Sequence, residues 1–124
     1  MISGKGLGHT GGTLDTLSSI PGYEVEQSET SFQKIVSEIG CAIVGQTSDL
    51  VPADKILYST RDVTSTVDSV DLITASIISK KLASGINNLI LDVKVGRGAL
   101  MTNIRQAKKL AKSLVSVSNA SNCK

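Results

Sequence analysis

Two short apolar runs constrain the fold most, because they are the strand candidates of the sequence. They cover residues 41–44 and 89–95, and continuous apolar strands are typical of a sheet covered on both faces. Helical patterns flank both runs, so the sequence predicts an α/β fold. Two strands do not complete a sheet, since stable sheets usually have about five or six strands. We therefore expect the chain to be a piece of a larger fold.

The spacing of apolar residues predicts the helices around these strands. The expected helices cover residues 14–20, 31–39, 53–84 and 104–115. Ser31 is the expected N-cap of the second helix, and Gly40 and Gly85 are expected to end the second and third. We expect the third helix to break near residues 61–64, where β-branched and hydroxyl residues cluster.

Composition limits what the chain can bind. With 40% hydrophobic and 19% charged residues, the 124-residue chain is globular rather than disordered. Its 13 basic and 11 acidic residues give a net charge of +2, too small to indicate a nucleic-acid or membrane partner, and its scarce aromatics disfavour base stacking. It has two cysteines without a CxxC pair, and no apolar signal or membrane-spanning stretch. We therefore expect a soluble, cytoplasmic protein.

A glycine-rich run near the N-terminus is the most informative segment. It reads Ser3-Gly4-Lys5-Gly6-Leu7-Gly8-His9-Thr10-Gly11-Gly12-Thr13. Glycines let backbone N–H groups approach an anion, and the Ser3, Thr10 and Thr13 hydroxyls add donors, so the run predicts a phosphate-binding loop. The alternative is a turn-forming loop with no ligand. Residues 6–11 also match G-x-G-x-x-G, but the sequence predicts no strand before them, which disfavours a dinucleotide site.

A second group of candidate residues is Arg61, Ser76 and Lys80. Ser76 and Lys80 are four positions apart in a periodic helix, so they share one face. A hydroxyl and an ammonium on one face either bind an anion or a carbonyl group, or form an ordinary solvated polar face. The sequence leaves both interpretations open.

The remaining candidates predict no metal site. His9 is the single histidine, so a histidine-based metal cluster is not expected, and we do not assign catalysis to it. Asp92 has no second carboxylate nearby in the sequence, which favours a structural role.

Long collinear motifs give the sequence a more specific resemblance. The matching segments, in order, are residues 3–15, 20–22, 45–47, 51–55, Tyr58, 61–64, 66–69, 72–77, 79–82 and 91–96. They resemble the thymidine phosphorylase and pyrimidine-nucleoside phosphorylase family over about residues 1–117. Thr74-Ala75-Ser76 is similar to the thymidine-specific branch.

The resemblance implies an enzyme of pyrimidine nucleoside salvage and catabolism, a pentosyltransferase that catalyses reversible phosphorolysis. Phosphate attacks C1′ of a pyrimidine (deoxy)nucleoside such as thymidine, giving the free base and (deoxy)ribose 1-phosphate. It further implies that Ser3 and Thr13 bind phosphate and that Arg61, Ser76 and Lys80 bind the pyrimidine, with Arg61 and Lys80 as catalytic residues. It implies no cofactor, because inorganic phosphate is a co-substrate.

The resemblance also implies a two-lobed nucleoside phosphorylase-like fold and a homodimer. In that fold residues 1–52 are an α/β-domain segment with the phosphate loop, and residues 53–84 are a helical-domain segment with the pyrimidine-binding face. Residues 85–124 are a second α/β-domain segment with a strand and a helix. Closure of the cleft between the lobes would bring the two groups of ligands together.

Some family features are altered or absent in this sequence. Lys5 stands where the family usually has Arg, which removes a bidentate donor from the loop. A further Lys-His-Ser-Thr-Gly-Gly type loop, which in the family adds phosphate contacts and a base-contacting histidine, does not occur, and His9 does not match that histidine. We therefore expect the chain to be a fragment that is inactive in isolation. The alternatives are a non-catalytic anion-binding or interaction remnant of that enzyme and an anthranilate phosphoribosyltransferase-like protein, which the scarcity of clustered acidic residues disfavours.

Overall fold

A computed structural model describes residues 1–6 and 11–123, which contain five helices and two very short strands. The elements, in order, are β1 (Ile2–Ser3), α1 (Thr13–Ser18), α2 (Glu29–Ile39), β2 (Val44–Gly45), α3 (Pro52–Val63), α4 (Val70–Ala83) and α5 (Ile104–Ala120). They divide into a first unit, Met1–Thr64, and a second unit, Ser65–Lys124. The mixture of helices with a small parallel sheet agrees with the predicted α/β class.

The sheet of the first unit is a parallel pair with the register Ile2 to Val44 and Ser3 to Gly45. Ile2 and Val44 are 1% and 2% exposed, so this pair is anchored by apolar burial. The prediction of a strand over residues 41–44 is corrected, because the strand begins only at Val44. The prediction that no strand precedes the glycine run is also wrong. The chain needs only two residues to pair with β2, and such a short strand leaves no periodic signal in the sequence.

The helices of the first unit begin and end at residues with a physical reason to be there. Ser28, rather than the predicted Ser31, caps α2, and its Oγ accepts the Ser31 N–H at 3.1 Å. Gly40 ends α2 at φ 89°, in the left-handed region that glycine adopts without strain, as predicted. Pro52 is in the first turn of α3, and the helix ends at Val63, which confirms the predicted break.

The core of the second unit lies between α4 and α5. Its buried members are Ile73, Ile78, Met101, Ala107, Leu110 and Leu114. Asn103 caps α5 by accepting the Gln106 N–H at 3.0 Å, and Gly85 follows α4 at φ 67°, as the sequence predicts. Burial of these aliphatic side chains is therefore what holds the two helices together.

The prediction of a largely buried strand over residues 89–95 is wrong for this structure. Leu89, Leu91 and Val93 pack against the core of the second unit, but Ile90 between them is 97% exposed. Within the described part of the second unit, the segment has only one isolated bridge, between Val95 and Met101. A strand forms only beside a partner that accepts its hydrogen bonds. The alternating burial is that of a strand with one packed face and no neighbour.

No helix within the described residues has both the length and the apolar character needed to cross a lipid bilayer.

Candidate functional site

The glycine-rich loop of the first unit carries the two predicted phosphate ligands. Ser3 ends β1 and is half-buried, and Thr13 is the exposed first residue of α1. The two hydroxyl residues therefore lie on the two stems of the loop. Thr10, the third predicted donor, and His9 fall in residues 7–10, outside the described residues.

The first stem of the loop is held at the peptide group between Lys5 and Gly6. Tyr58 of α3 donates its hydroxyl to the Lys5 carbonyl oxygen at 2.7 Å. Asp15 of α1 accepts the Gly6 N–H at 2.6 Å, and the same Oδ2 accepts the Gly12 N–H at 2.7 Å. One carboxylate therefore joins both stems, and one peptide group is bonded at its C=O and at its N–H.

Gly12 approaches this peptide group too closely for any larger residue. A Cβ added to Gly12 would lie 2.5 Å from the Gly6 nitrogen and 2.9 Å from the Lys5 carbonyl carbon. A Cβ added to the neighbouring Gly11 would meet no described atom within 4 Å. The absence of a side chain at Gly12 is therefore a steric requirement of the loop.

The loop environment stabilises the ionised form of Asp15. Its pKa is lowered by the Gly6 N–H most strongly and then by the Gly12 N–H, with a smaller contribution from the charge of Lys5. Because the folded pKa lies below the ordinary value of 3.8, the stabilisation is present at neutral pH. It is lost as the pH falls through that lowered value.

Arg61, a predicted base ligand, lies on α3 beside Tyr58. It is 5% exposed, and its Cζ lies 5.6 Å from the centroid of the Tyr58 ring, within cation–π range. Burial lowers the pKa of Arg61, but a guanidinium stays protonated at neutral pH. Burial raises the pKa of Tyr58, so its hydroxyl keeps the proton that it donates to the loop.

A cavity of about 320 Å³ lies beside the loop within the first unit, and its lining includes Lys5, Lys55 and Glu26. Gln46 also lines it and donates through Nε2 to the carboxylate of Asp54, which is buried in the first turn of α3. The space next to the loop therefore presents charges of both signs and neutral donors.

Ser76 and Lys80 form a buried pair on α4 in the second unit. They are 5% and 6% exposed, and Lys80 Nζ donates to Ser76 Oγ at 2.6 Å. The predicted shared face is confirmed, and the alternative of a solvated polar face is wrong. The neighbouring Lys81 has its pKa lowered by burial and then by the charge of Lys80. Arg61 lies in the first unit and this pair in the second.

We expect Ser76→Ala to lower the free energy of unfolding of the chain by about 1.5–3 kcal/mol, because it removes a hydrogen bond to a buried charge. Ser79→Ala is the matched control, since Ser79 Oγ makes only a 3.3 Å bond to the Ser76 carbonyl in the same helix. Urea unfolding followed by circular dichroism measures both. An equal decrease in the free energy of unfolding in the two variants would show that the Lys80–Ser76 bond stabilises the chain no more than the Ser79 bond does.

The other candidates do not join either group. Asp92 pairs with Lys94 at 2.6 Å, and both side chains are exposed. Cys41 and Cys123 are free thiols. Across residues 1–6 and 11–123, no group of three or more His, Cys, Asp or Glu side chains could hold a metal ion.

Sequence reasoning gave no role to Asp15 or Tyr58, although both stand in the motifs that carry the family resemblance. Asp15 is the third residue of α1, where a carboxylate commonly accepts the N-cap N–H, and that position was the available signal. The bond from Gly6 to Asp15 spans nine positions, and the bond from Tyr58 to Lys5 spans 53. No local pattern reports such contacts.

Comparison with known proteins identifies the family of the chain. The family described as "Glycosyl transferase family, a/b domain" matches residues 1–124, the whole chain. The chain belongs to this glycosyl transferase family. Its membership agrees with the family resemblance that the motifs carry.

Individual members of the glycosyl transferase family are also closely similar to the chain. A thymidine phosphorylase of Sinorhizobium fredii is 66% identical over 119 residues, covering 96% of this chain and 27% of that protein. A thymidine phosphorylase of Rhizobium meliloti is 63% identical over the same length, and one of Colwellia psychrerythraea is 59% identical over all 124 residues. The predicted resemblance to thymidine phosphorylases is confirmed. The chain spans only 27–28% of the length of these relatives.

Proposed function

We propose that this chain carries part of the active site of a thymidine phosphorylase-like pentosyltransferase. The observation that carries the proposal is the 66% identity to a protein named thymidine phosphorylase over 96% of this chain. The structure supports it with a glycine loop flanked by hydroxyl residues and with two buried cationic side chains, Arg61 and Lys80.

The proposed reaction exchanges one bond at the anomeric carbon for another. A phosphate oxygen forms a bond to C1′ of thymidine while the bond from C1′ to the pyrimidine nitrogen breaks, and the electron pair leaves with the base. The departing base gains negative charge, so Arg61 and Lys80 next to its carbonyl oxygens stabilise the transition state more than the bound substrate. Ser76 orients the Lys80 ammonium through their 2.6 Å bond and adds a hydroxyl contact to the base.

Ser3 and Thr13 are the proposed phosphate ligands. In this proposal one anion receives hydrogen bonds from both hydroxyls, which belong to residues on the two stems of the loop. Phosphate is the nucleophile, so its placement relative to C1′ decides the rate as much as any proton transfer. Inorganic phosphate is a co-substrate in this scheme, and the scheme uses no other cofactor.

The same proposal covers the architecture of the enzyme and its cellular compartment. It places residues 1–52 and 85–124 in an α/β lobe and residues 53–84 in a helical lobe of a two-lobed, homodimeric enzyme. It assigns the protein to the cytoplasm, where its two free thiols agree with a reducing compartment. It also expects no turnover from the isolated chain, which spans only 27–28% of the length of the relatives it matches.

A chimeric enzyme tests the function directly. The aligned 119 residues of the Sinorhizobium fredii relative are replaced by this chain, and thymine release from thymidine is measured with and without inorganic phosphate. We expect release only when phosphate is present. A folded chimera that releases no thymine, while the unmodified relative does, would count against the proposal. Uracil release from 2′-deoxyuridine and from uridine under the same conditions separates the preference for the base from the preference for the sugar.

A further inference from the structure

One peptide group of the glycine loop, between Lys5 and Gly6, is fixed from two sides by side chains of two different helices. Tyr58 of α3 holds its carbonyl oxygen at 2.7 Å, and Asp15 of α1 holds its N–H at 2.6 Å. In a trans peptide the C=O and N–H point in opposite directions, so bonds at both groups restrain the tilt of the peptide from its two sides. A single bond would leave it free to tilt.

The second stem of the loop contacts the same carboxylate and the same peptide group. Asp15 Oδ2 also accepts the Gly12 N–H at 2.7 Å, and Gly12 sits against the Lys5–Gly6 peptide without room for a Cβ. Gly12 directly precedes Thr13, and Lys5 lies two residues after Ser3. The separation of the two stems, and hence of the Ser3 and Thr13 residues, is set by Asp15.

We propose that Asp15 and Tyr58 are positioning residues, which fix the Lys5–Gly6 peptide and so hold Ser3 and Thr13 in the arrangement that binds phosphate. This inference rests on the proposed function, which makes Ser3 and Thr13 the phosphate ligands. Neither Asp15 nor Tyr58 needs to touch phosphate. Tyr58 also contacts Arg61 at 5.6 Å, so one side chain supports both the phosphate loop and a base ligand.

The charges around the two residues favour this arrangement at neutral pH. Lys5 faces Asp15 and helps to keep it ionised, while Arg61 and Asp54 act on Tyr58 with opposite signs. Asp15 and Tyr58 also interact with each other, since the carboxylate charge raises the pKa of the tyrosine. An ionised carboxylate accepts both N–H groups, and a neutral phenol donates to the carbonyl.

The test uses the ¹⁵N-labelled chain, with inorganic phosphate as the probe. Asp15→Asn removes the charge at nearly constant size, and Tyr58→Phe removes the hydroxyl while keeping the ring against Arg61. Glu29→Gln is the control for a lost first-turn carboxylate, because Glu29 begins α2 away from the loop. Tyr23→Phe is the control for a lost phenol, because Tyr23 donates to the Ile43 carbonyl at 2.8 Å instead.

Two measurements on each variant separate the inference from the proposed function. Amide hydrogen exchange at Gly6 and Gly12 reports the bonds without any ligand. We expect exchange at both glycines to accelerate in Asp15→Asn and in neither control. In the wild-type chain, the Gly6 and Gly12 amide shifts should titrate together, with one midpoint below 3.8.

Phosphate affinity, followed by the amide shifts of Ser3 and Thr13, reports positioning. We expect the dissociation constant for phosphate to rise about tenfold in Asp15→Asn and about threefold in Tyr58→Phe. The first variant loses hydrogen bonds to a charged carboxylate, which are stronger than the neutral bond that the second variant loses. In the double variant the phosphate dissociation constant should rise by less than the product of the two single increases, because both residues act on one peptide group.

Three results would decide against the inference. Unchanged exchange at Gly6 in Asp15→Asn would show that the carboxylate does not hold the peptide. Accelerated exchange with unchanged phosphate affinity would show that the bonds do not position the ligands. A wild-type chain that binds no phosphate would contradict the phosphate site of the proposed function and the positioning role with it. In that case the glycine exchange rates still establish or refute the bonds from Gly6 and Gly12 to Asp15.

Discussion

Replacing Lys80 with Met in the chimeric enzyme is expected to lower kcat for thymidine phosphorolysis by about 10²–10³-fold, the usual effect of removing one group that stabilises developing charge. Lys80 is 6% exposed, so its ammonium has given up most of its contact with water. A buried charge acts more strongly on a departing base than an exposed charge does, because less solvent screens the buried charge. Methionine nearly keeps the length and the apolar character of the side chain, and it removes the cation together with its hydrogen bond to Ser76.

The matched control is Lys108→Met, which removes an exposed lysine from α5 in the same unit. We expect the control to retain nearly all activity. Thymine release at saturating thymidine and phosphate measures kcat for both variants, and circular dichroism checks that both are folded. Comparable kcat values for Lys80→Met and the unmodified chimera would remove Lys80 from the catalytic group.

The Lys80–Ser76 pair could be predicted from the sequence because both residues lie in one strongly periodic helix. Four positions along a helix bring two side chains to one face, so the sequence alone fixes their proximity. It does not fix their burial, because burial depends on residues that are distant along the chain. For that reason the sequence left the solvated alternative open, and only the structure excludes it.

Strands were predicted less well than helices for a related reason. A helix satisfies its backbone within its own segment, whereas a strand needs a partner that the local sequence does not name. Residues 89–95 have the apolar character of a strand and the alternating burial of one, but within the described residues of the second unit their strand pairing is limited to one isolated bridge at Val95. Ile2–Ser3 has no strand pattern at all and still pairs with β2, because its partner is in reach.

For the glycine loop, too, the sequence predicts the residue types but not their distant contacts. Its glycines and hydroxyl residues are visible in the sequence and predict an anion ligand. The two side chains that hold it come from α1 and α3, and their contacts depend on how those helices pack. Gly11 and Gly12 are neighbouring glycines of the same run, yet of the two only Gly12 has a position where an added Cβ would lie 2.5 Å from a backbone atom.

That difference predicts a large effect of Gly12→Ala. The added methyl group meets backbone atoms of Lys5 and Gly6 rather than a flexible side chain, so the loop stems must separate. Overpacking of this kind costs about 1–3 kcal/mol. We expect the free energy of unfolding to fall by that amount and phosphate binding by the chain to be lost, because the Gly6 and Gly12 N–H groups can no longer share Asp15.

Gly11→Ala is the matched control, one residue away. Its Cβ would meet no described atom within 4 Å, and its φ is not in the left-handed region. Alanine at this position should therefore be neutral or should stabilise the chain by about 0.4–1 kcal/mol, because it reduces the conformational entropy of the unfolded chain. Urea unfolding and a phosphate titration of the two variants give the comparison. If Gly12→Ala binds phosphate as tightly as Gly11→Ala does, the close contact between the two stems is not what shapes the proposed phosphate site.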